Sequence, residues 1–300
     1  MADLVLMIFT GLAVAGVYFL LASGLGLIFG LLRILSFAHG AILAACAYGG
    51  WMVLRQAGSG QGVSELRVAE AIVCAIVVGA ALSFLIELIL IRPFYGRDHL
   101  DQLLVTAGVG FALVALLAAI WGPDHQTVPS PAWINHETVT IFGAKVQDVD
   151  FLLIGAAVVV LVALELFLRY TRHGLIVRAG VENREMVSAL GIEVKWSFTM
   201  IFTLGGAVAG LGGAVAALYA SAVSPAIGNT YLLYAFIVLV IGGIGSLRGA
   251  AIASVIVGVV QQFVGFYISP GIGDVIGFVL MAICLYVRPQ GIAGQEVRLI

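Results

Sequence analysis

The residues that could do chemistry are few, and most stand alone in long apolar runs. Gly271-Ile272-Gly273-Asp274 spells the G-x-G-D string of an intramembrane aspartyl protease. Such an enzyme needs a second aspartate at close range, so that one carboxyl stays protonated while the other ionises. The usual Tyr-Asp partner is missing and no other aspartate falls inside an apolar segment, so Asp274 reads as an acid at a helix start. Asp98-His99-Leu100-Asp101 is a single D-x-x-D. A membrane prenyltransferase would need a second such motif to hold Mg²⁺ and a diphosphate. Asp98 and Asp101 therefore read as the entry of a helix beginning near Leu103. Glu87 and Glu165 would serve a proton relay only near mid-span. Both lie towards segment ends, within reach of water or headgroups, and Glu165 precedes Arg169 at the spacing of a helical ion pair. No G-x-x-x-x-G-K-[ST] string occurs, so a P-loop ATPase activity is excluded. Cys46, Cys74 and Cys284 show neither disulfide nor metal-ligand spacing. Catalytic and metal residues are thus expected to be absent.

Two stretches remain as binding candidates. Ser36-Phe37-Ala38-His39-Gly40 interrupts an apolar stretch with a hydroxyl, an imidazole and a glycine. Ser36 could cap the helix that starts near Ala38, with His39 bonded to a neighbouring carbonyl. Alternatively, the free N–H groups of a helix start near the membrane would suit an anionic substrate group. Ser36, Phe37, His39 and Gly40 are therefore substrate-path candidates. The second stretch is the polar island from Arg169 to Trp196, which holds Arg169, Arg172, Arg178, Arg184 and Lys195. Its apolar and charged residues interleave as in a short amphipathic helix over Arg178 to Leu190, ended by Gly191.

The elements that carry these stretches follow from composition. Of 300 residues, 62% are hydrophobic and 10% charged, against about 25% charged in soluble domains. Mean hydropathy is +1.15. Several apolar runs reach the roughly 20 residues that cross a bilayer as a helix, and none alternates as barrel strands do. The expected fold is an all-α polytopic bundle of eight or nine spans, some short or glycine-broken. The segments fall near 8–32, 40–54, 70–91, 103–121, 151–169, 197–220, 231–244, 250–268 and 273–287. The first, without a basic n-region, reads as a span rather than a cleaved signal. With the island placed in the cytoplasm, alternation puts eleven of 14 basic residues inside and leaves Arg55, Arg67 and Lys145 outside. The positive-inside rule then sets the N-terminus out and the C-terminus in. The acidic, proline-containing segment 122–150 becomes a periplasmic loop. Residues 30–48 and 243–258 each place an arginine-containing break before a small-residue helix, which would fit a parallel repeat.

Taken together, SFAHGAILAACAY (36–48), RAGVENREMVSALGIEV (178–194), SFTMIFTLGGAVAGLGGAVAALY (197–219), AFIVLVIGGIGSLRGAAIASVIVG (235–258) and RPQGIAG (288–294) resemble the permeases of branched-chain amino acid ABC importers. The likeness is to the shorter of the two permease types and covers nearly the whole chain. It implies one transmembrane permease domain over 1–300, in a bacterial inner membrane, importing solute by ATP-driven alternating access. Residues 170–196 would be the cytoplasmic coupling loop that docks on an ATPase subunit. The positions matching that loop are Arg178, Ala179, Glu182, Asn183, Ala189, Leu190, Gly191 and Ile192. The implied partners are a second homologous permease, two ATP-binding cassette subunits, a periplasmic solute-binding protein and membrane lipid. ATP and Mg²⁺ would be bound by the ATPases, and this chain would hold no cofactor. The resembling family usually carries Asn where Ser36 stands and often Pro where Arg248 stands. Such permeases are also associated with urea, short amides and aromatic acids. A stand-alone ion-coupled transporter is the alternative, and it would need midplane carboxylates or unwound carbonyls.

Overall fold

The structure is a computed structural model that describes residues 2–32, 36–56, 63–129, 131, 134, 139–182, 186–187 and 194–293. Ten α-helices lie among these residues: α1 (Ala2–Leu32), α2 (Ala38–Arg55), α3 (Glu65–Ile86), α4 (His99–Trp121), α5 (Asp148–Tyr170), α6 (Arg172–Glu182), α7 (Val194–Ala220), α8 (Ile227–Gly242), α9 (Leu247–Tyr267) and α10 (Pro270–Val287). Each apolar segment expected from the sequence is a helix, and most begin earlier than hydropathy alone suggests. Polar first turns explain the difference. Glu65, Asp101 and Asp148 sit where a helix N-terminus favours an acid.

Among the described residues, seven helices (α1, α3, α4, α5, α7, α9 and α10) are long and apolar enough to cross a membrane. The apolar α8 has only 16 residues, and the 18-residue α2 is not among the seven. The chain is a multi-pass membrane protein. α1 stands at its centre, with every residue from Ala15 to Ile28 buried, as befits a helix apolar on all sides. It packs on α5, α7, α8 and α9. α4, α5 and α10 turn most of their apolar surface outward.

Small residues set the closest crossings. Ala75, Gly79 and Ser83 of α3 face Gly206 and Gly210 of α7. A Cβ on Gly206 would collide with the Gly79 carbonyl and the Ser83 hydroxyl. Without a hydrophobic drive between helices in lipid, such backbone approach supplies the packing energy. The turn joining α8 to α9 uses Gly243 and Gly245, both at positive φ, and Ser246 caps α9 by accepting from the Gly249 N–H at 3.0 Å. A Cβ on Gly30 would lie 2.9 Å from Gly245 Cα, so the last turns of α1 meet the turn before α9 at one end of the bundle.

The other end is tied by strands. β1 (Gln126–Thr127) pairs antiparallel with β4 (Ala222–Val223), and β2 (Val139–Ile141) pairs with β3 (Ala144–Val146). Trp51 Nε1 of α2 donates to the Thr127 carbonyl at 3.0 Å. Segment 122–150 therefore contains ordered strands, and its final residues Asp148 to Asp150 open α5 rather than close the loop.

Candidate functional site

The α2 start differs from the capped turn expected of Ser36. Phe37 occupies the cap position with helical dihedrals and makes no side-chain cap bond. Its N–H donates to Thr106 Oγ1 of α4 at 3.4 Å, and the His39 N–H donates to the Ser36 carbonyl at 3.2 Å. With the cap shifted by one residue, the Ser36 hydroxyl has no hydrogen-bond partner among the described residues, and no side chain among them bonds either ring nitrogen of His39. Ser36 is 1% exposed and His39 0%. The carbonyl that the His39 ring approaches is that of Leu21 in α1, a backbone partner of the kind expected. A Cβ on Gly24 of α1 would lie 3.0 Å from His39 Nε2, so glycine there leaves the imidazole its space. Gly40 lets α2 meet α8, since its Cβ would sit 2.5 Å from the Gly228 carbonyl. Phe37 is the exposed member of the group, at 41%.

The polar island begins with α6, six residues before the expected Arg178. Thr171 is the reason. Its backbone is extended (φ −98°, ψ 150°), its hydroxyl accepts from the Gly174 N–H at 2.9 Å and donates to the Phe167 carbonyl at 2.7 Å. This side-chain cap starts a new helix directly after α5. Gly174 permits the sharp turn, where a Cβ would strike the α5 backbone at Phe167 and Leu168. Arg178, Ala179 and Glu182 lie in α6, with Ala179 exposed. Asn183, Ala189, Leu190, Gly191 and Ile192 lie outside the described residues. Val187 is buried and Met186 exposed at 62%.

Glu87 is also placed differently from its expected setting. Glu87 is 0% exposed and does not reach water. It opens a π-helical turn (Glu87–Ile91) that continues α3, and a 3₁₀ turn (Arg92–Phe94) follows. Its Oε1 accepts from Tyr95 Oη at 2.6 Å and its Oε2 from Thr199 Oγ1 of α7 at 2.7 Å. Glu165 is bonded by the guanidinium of Arg248 from α9, with Nε at 3.1 Å, a distant partner that local spacing could not find. Asp274 lies one turn into α10. Its carboxylate accepts from Tyr234 Oη and Gln261 Nε2, each at 3.1 Å, and Gln261 Oε1 accepts from Tyr18 Oη at 2.7 Å. Asp98 occupies the cap position of α4, without a side-chain cap bond, and Asp101 sits in its first turn, so both lie at the helix entry as expected. Among the described residues no group of three or more His, Cys, Asp or Glu side chains could hold a metal ion.

Comparison with known proteins adds an independent line. Residues 7–285 match the family model described as branched-chain amino acid transport system / permease component. The high-affinity branched-chain amino acid transport system permease protein LivH of Salmonella typhimurium is 29% identical over 96% of this chain and 94% of its own. LivH of Escherichia coli K12 aligns with the same identity and coverage. The permease protein BraD of Pseudomonas aeruginosa is 26% identical over 95% and 94% of the two chains. Among solved structures, PsaBC from Streptococcus pneumoniae in complex with Fab covers 94% of this chain and 91% of its own, at 15% identity and a TM-score of 0.48.

Proposed function

Because the chain belongs to the branched-chain amino acid transport permease family, we propose that it is a transmembrane subunit of an ABC importer for branched-chain or related amino acids. The observation that carries this reading is the match over 7–285, which takes in every helix from α2 to α9 and most of α1 and α10. The chain forms the path and does no covalent chemistry. A binding protein delivers the solute outside, two ATP-binding cassette subunits bind and hydrolyse Mg-ATP inside, and a second permease completes the path.

In this reading the chain lies in a bacterial inner membrane with its N-terminus out and its C-terminus in. The short α2 and α8 join the seven long helices as further, incomplete spans. Segment 170–196 meets an ATPase. α6 is joined to α5 through the Thr171 cap and α7 follows the segment, so a push on it reaches the helices on both sides. Arg178, Ala179, Glu182, Asn183, Ala189, Leu190, Gly191 and Ile192 are the contact residues. Ser36, Phe37, His39 and Gly40 belong to the path.

The test is purification of the tagged chain from its native membrane in mild detergent, followed by reconstitution with whatever co-purifies. Two ATPase chains, a second permease and ATP-dependent leucine uptake are expected. A folded chain that repeatedly purifies alone and transports with an ion gradient would sink the proposal.

A further inference from the structure

Among the described residues, three buried polar atoms with no side-chain partner meet at the start of α2: Ser36 Oγ, His39 Nδ1 and His39 Nε2, the ring having only the Leu21 carbonyl of α1 beside it. A buried polar group left unbonded carries its full desolvation penalty, and a membrane interior offers no water to relieve it. The surrounding helices nonetheless keep these groups shut in. Gly24 of α1 makes room for the imidazole and Gly40 lets α8 close over the turn. Thr106 of α4 takes up the Phe37 N–H, while its own hydroxyl donates to the Leu103 carbonyl at 3.0 Å. The first turn of α2 adds further N–H donors and the positive end of an 18-residue helix.

The groups gathered here are a hydroxyl, an imidazole and helix-terminal N–H donors. No carboxylate is recorded against them among the described residues. That set is complementary to an anion of carboxylate size. Helix ends exposed at broken membrane helices serve substrate carboxylates in this way.

We propose that the α2 start is the carboxylate subsite of the translocation path. The α-carboxylate of the amino acid accepts from Ser36 Oγ, from an imidazole N–H of His39 and from the first-turn N–H groups. The conformation is then a closed one, in which the subsite is sealed. Opening at some step of the cycle brings it to the solute. The inference rests on the amino acid permease reading and adds to it the chemical group recognised.

The experiment uses the intact co-purified complex in proteoliposomes. Cys46, Cys74 and Cys284 are replaced and Ser36→Cys is introduced. Its reaction with a small sulfonate-bearing thiol reagent is followed at rest, during ATP turnover, and during turnover with leucine or with the matching amine that lacks a carboxylate. No reaction is expected at rest. Reaction is expected during turnover, slowed about 10-fold or more by leucine and unaffected by the amine. Failure to react in every state, or equal protection by leucine and the amine, would overturn the subsite.

A second variant guards against a folding artefact. His39→Gln keeps a side-chain N–H donor and should retain part of the uptake, while His39→Ala should lose about 10-fold or more, a factor equivalent to roughly 1.4 kcal/mol. Both should insert and assemble normally. Normal uptake in His39→Ala would overturn the proposal while leaving the permease reading intact. Absence of any ATP-dependent amino acid uptake by the wild-type complex would remove the permease reading itself, and the subsite with it.

Discussion

Thr199 Oγ1 donates to Glu87 Oε2 at 2.7 Å, joining the foot of α3 to the first turns of α7 across 112 positions of sequence. The same hydroxyl lies 3.2 Å from the Lys195 carbonyl, and Tyr95 holds the other carboxylate oxygen. Thr199→Val keeps the shape and removes the donor. Hydrogen bonds to charged groups contribute about 1.5–3 kcal/mol. The variant should unfold at lower temperature by a matching amount, measured by thermal unfolding in detergent. Unchanged stability would mean that Tyr95 alone satisfies the carboxylate.

The crossing of α3 and α7 leaves no room for side chains at Gly206. Gly206→Val should cost about 3 kcal/mol or more, at or beyond the upper end of overpacking effects. Size-exclusion profiles of the solubilised protein should show the loss of the folded peak. Gly108→Val is the control. Nothing lies within 4 Å of a Cβ at Gly108, and the folded peak should persist.

Gly191→Val should separate transport from ATP hydrolysis if the segment couples the two. Normal insertion and assembly with much-reduced uptake are expected, read by uptake and ATPase assays on one preparation. Wild-type uptake would count against the coupling role.

The Glu165–Arg248 pair is a contrast. Its side chains are 34% and 73% exposed, and exposed pairs contribute little. Arg248→Gln should leave the unfolding temperature nearly unchanged at high salt. A large fall would show that α5 and α9 depend on the pair for their packing.

Much of the architecture was legible because hydropathy is a strong signal in a chain that is 62% hydrophobic. The nine apolar segments are helices for that reason. The misplacements have specific causes. Thr171 was missed as a cap because the apolar run continues to Tyr170 and hides the start of α6 behind it. Its Thr-x-x-Gly spacing was the available clue. Ser36 has the right type for a cap, but a contact from α4, remote in sequence, engages Phe37 instead. Glu87 was expected near water because sequence gives depth along a helix and not which neighbour covers it. Thr199 and Tyr95 supply that cover. The β2–β3 hairpin, turning at Phe142 and Gly143 with positive φ, lies in a short segment whose alternation is too brief to stand out.

The pairing of β1 with β4 has a mechanical consequence. Together with the Trp51 bond to Thr127 and the bond from the Val128 N–H to the Ser221 carbonyl, it fastens the exits of α2, α4 and α7 into one collar. α8 begins a few residues beyond β4 and is tethered to the same collar. Those helices cannot splay apart at that mouth one at a time. Any gate there must swing the collar as a single leaf, or open along a seam that the ribbon does not stitch.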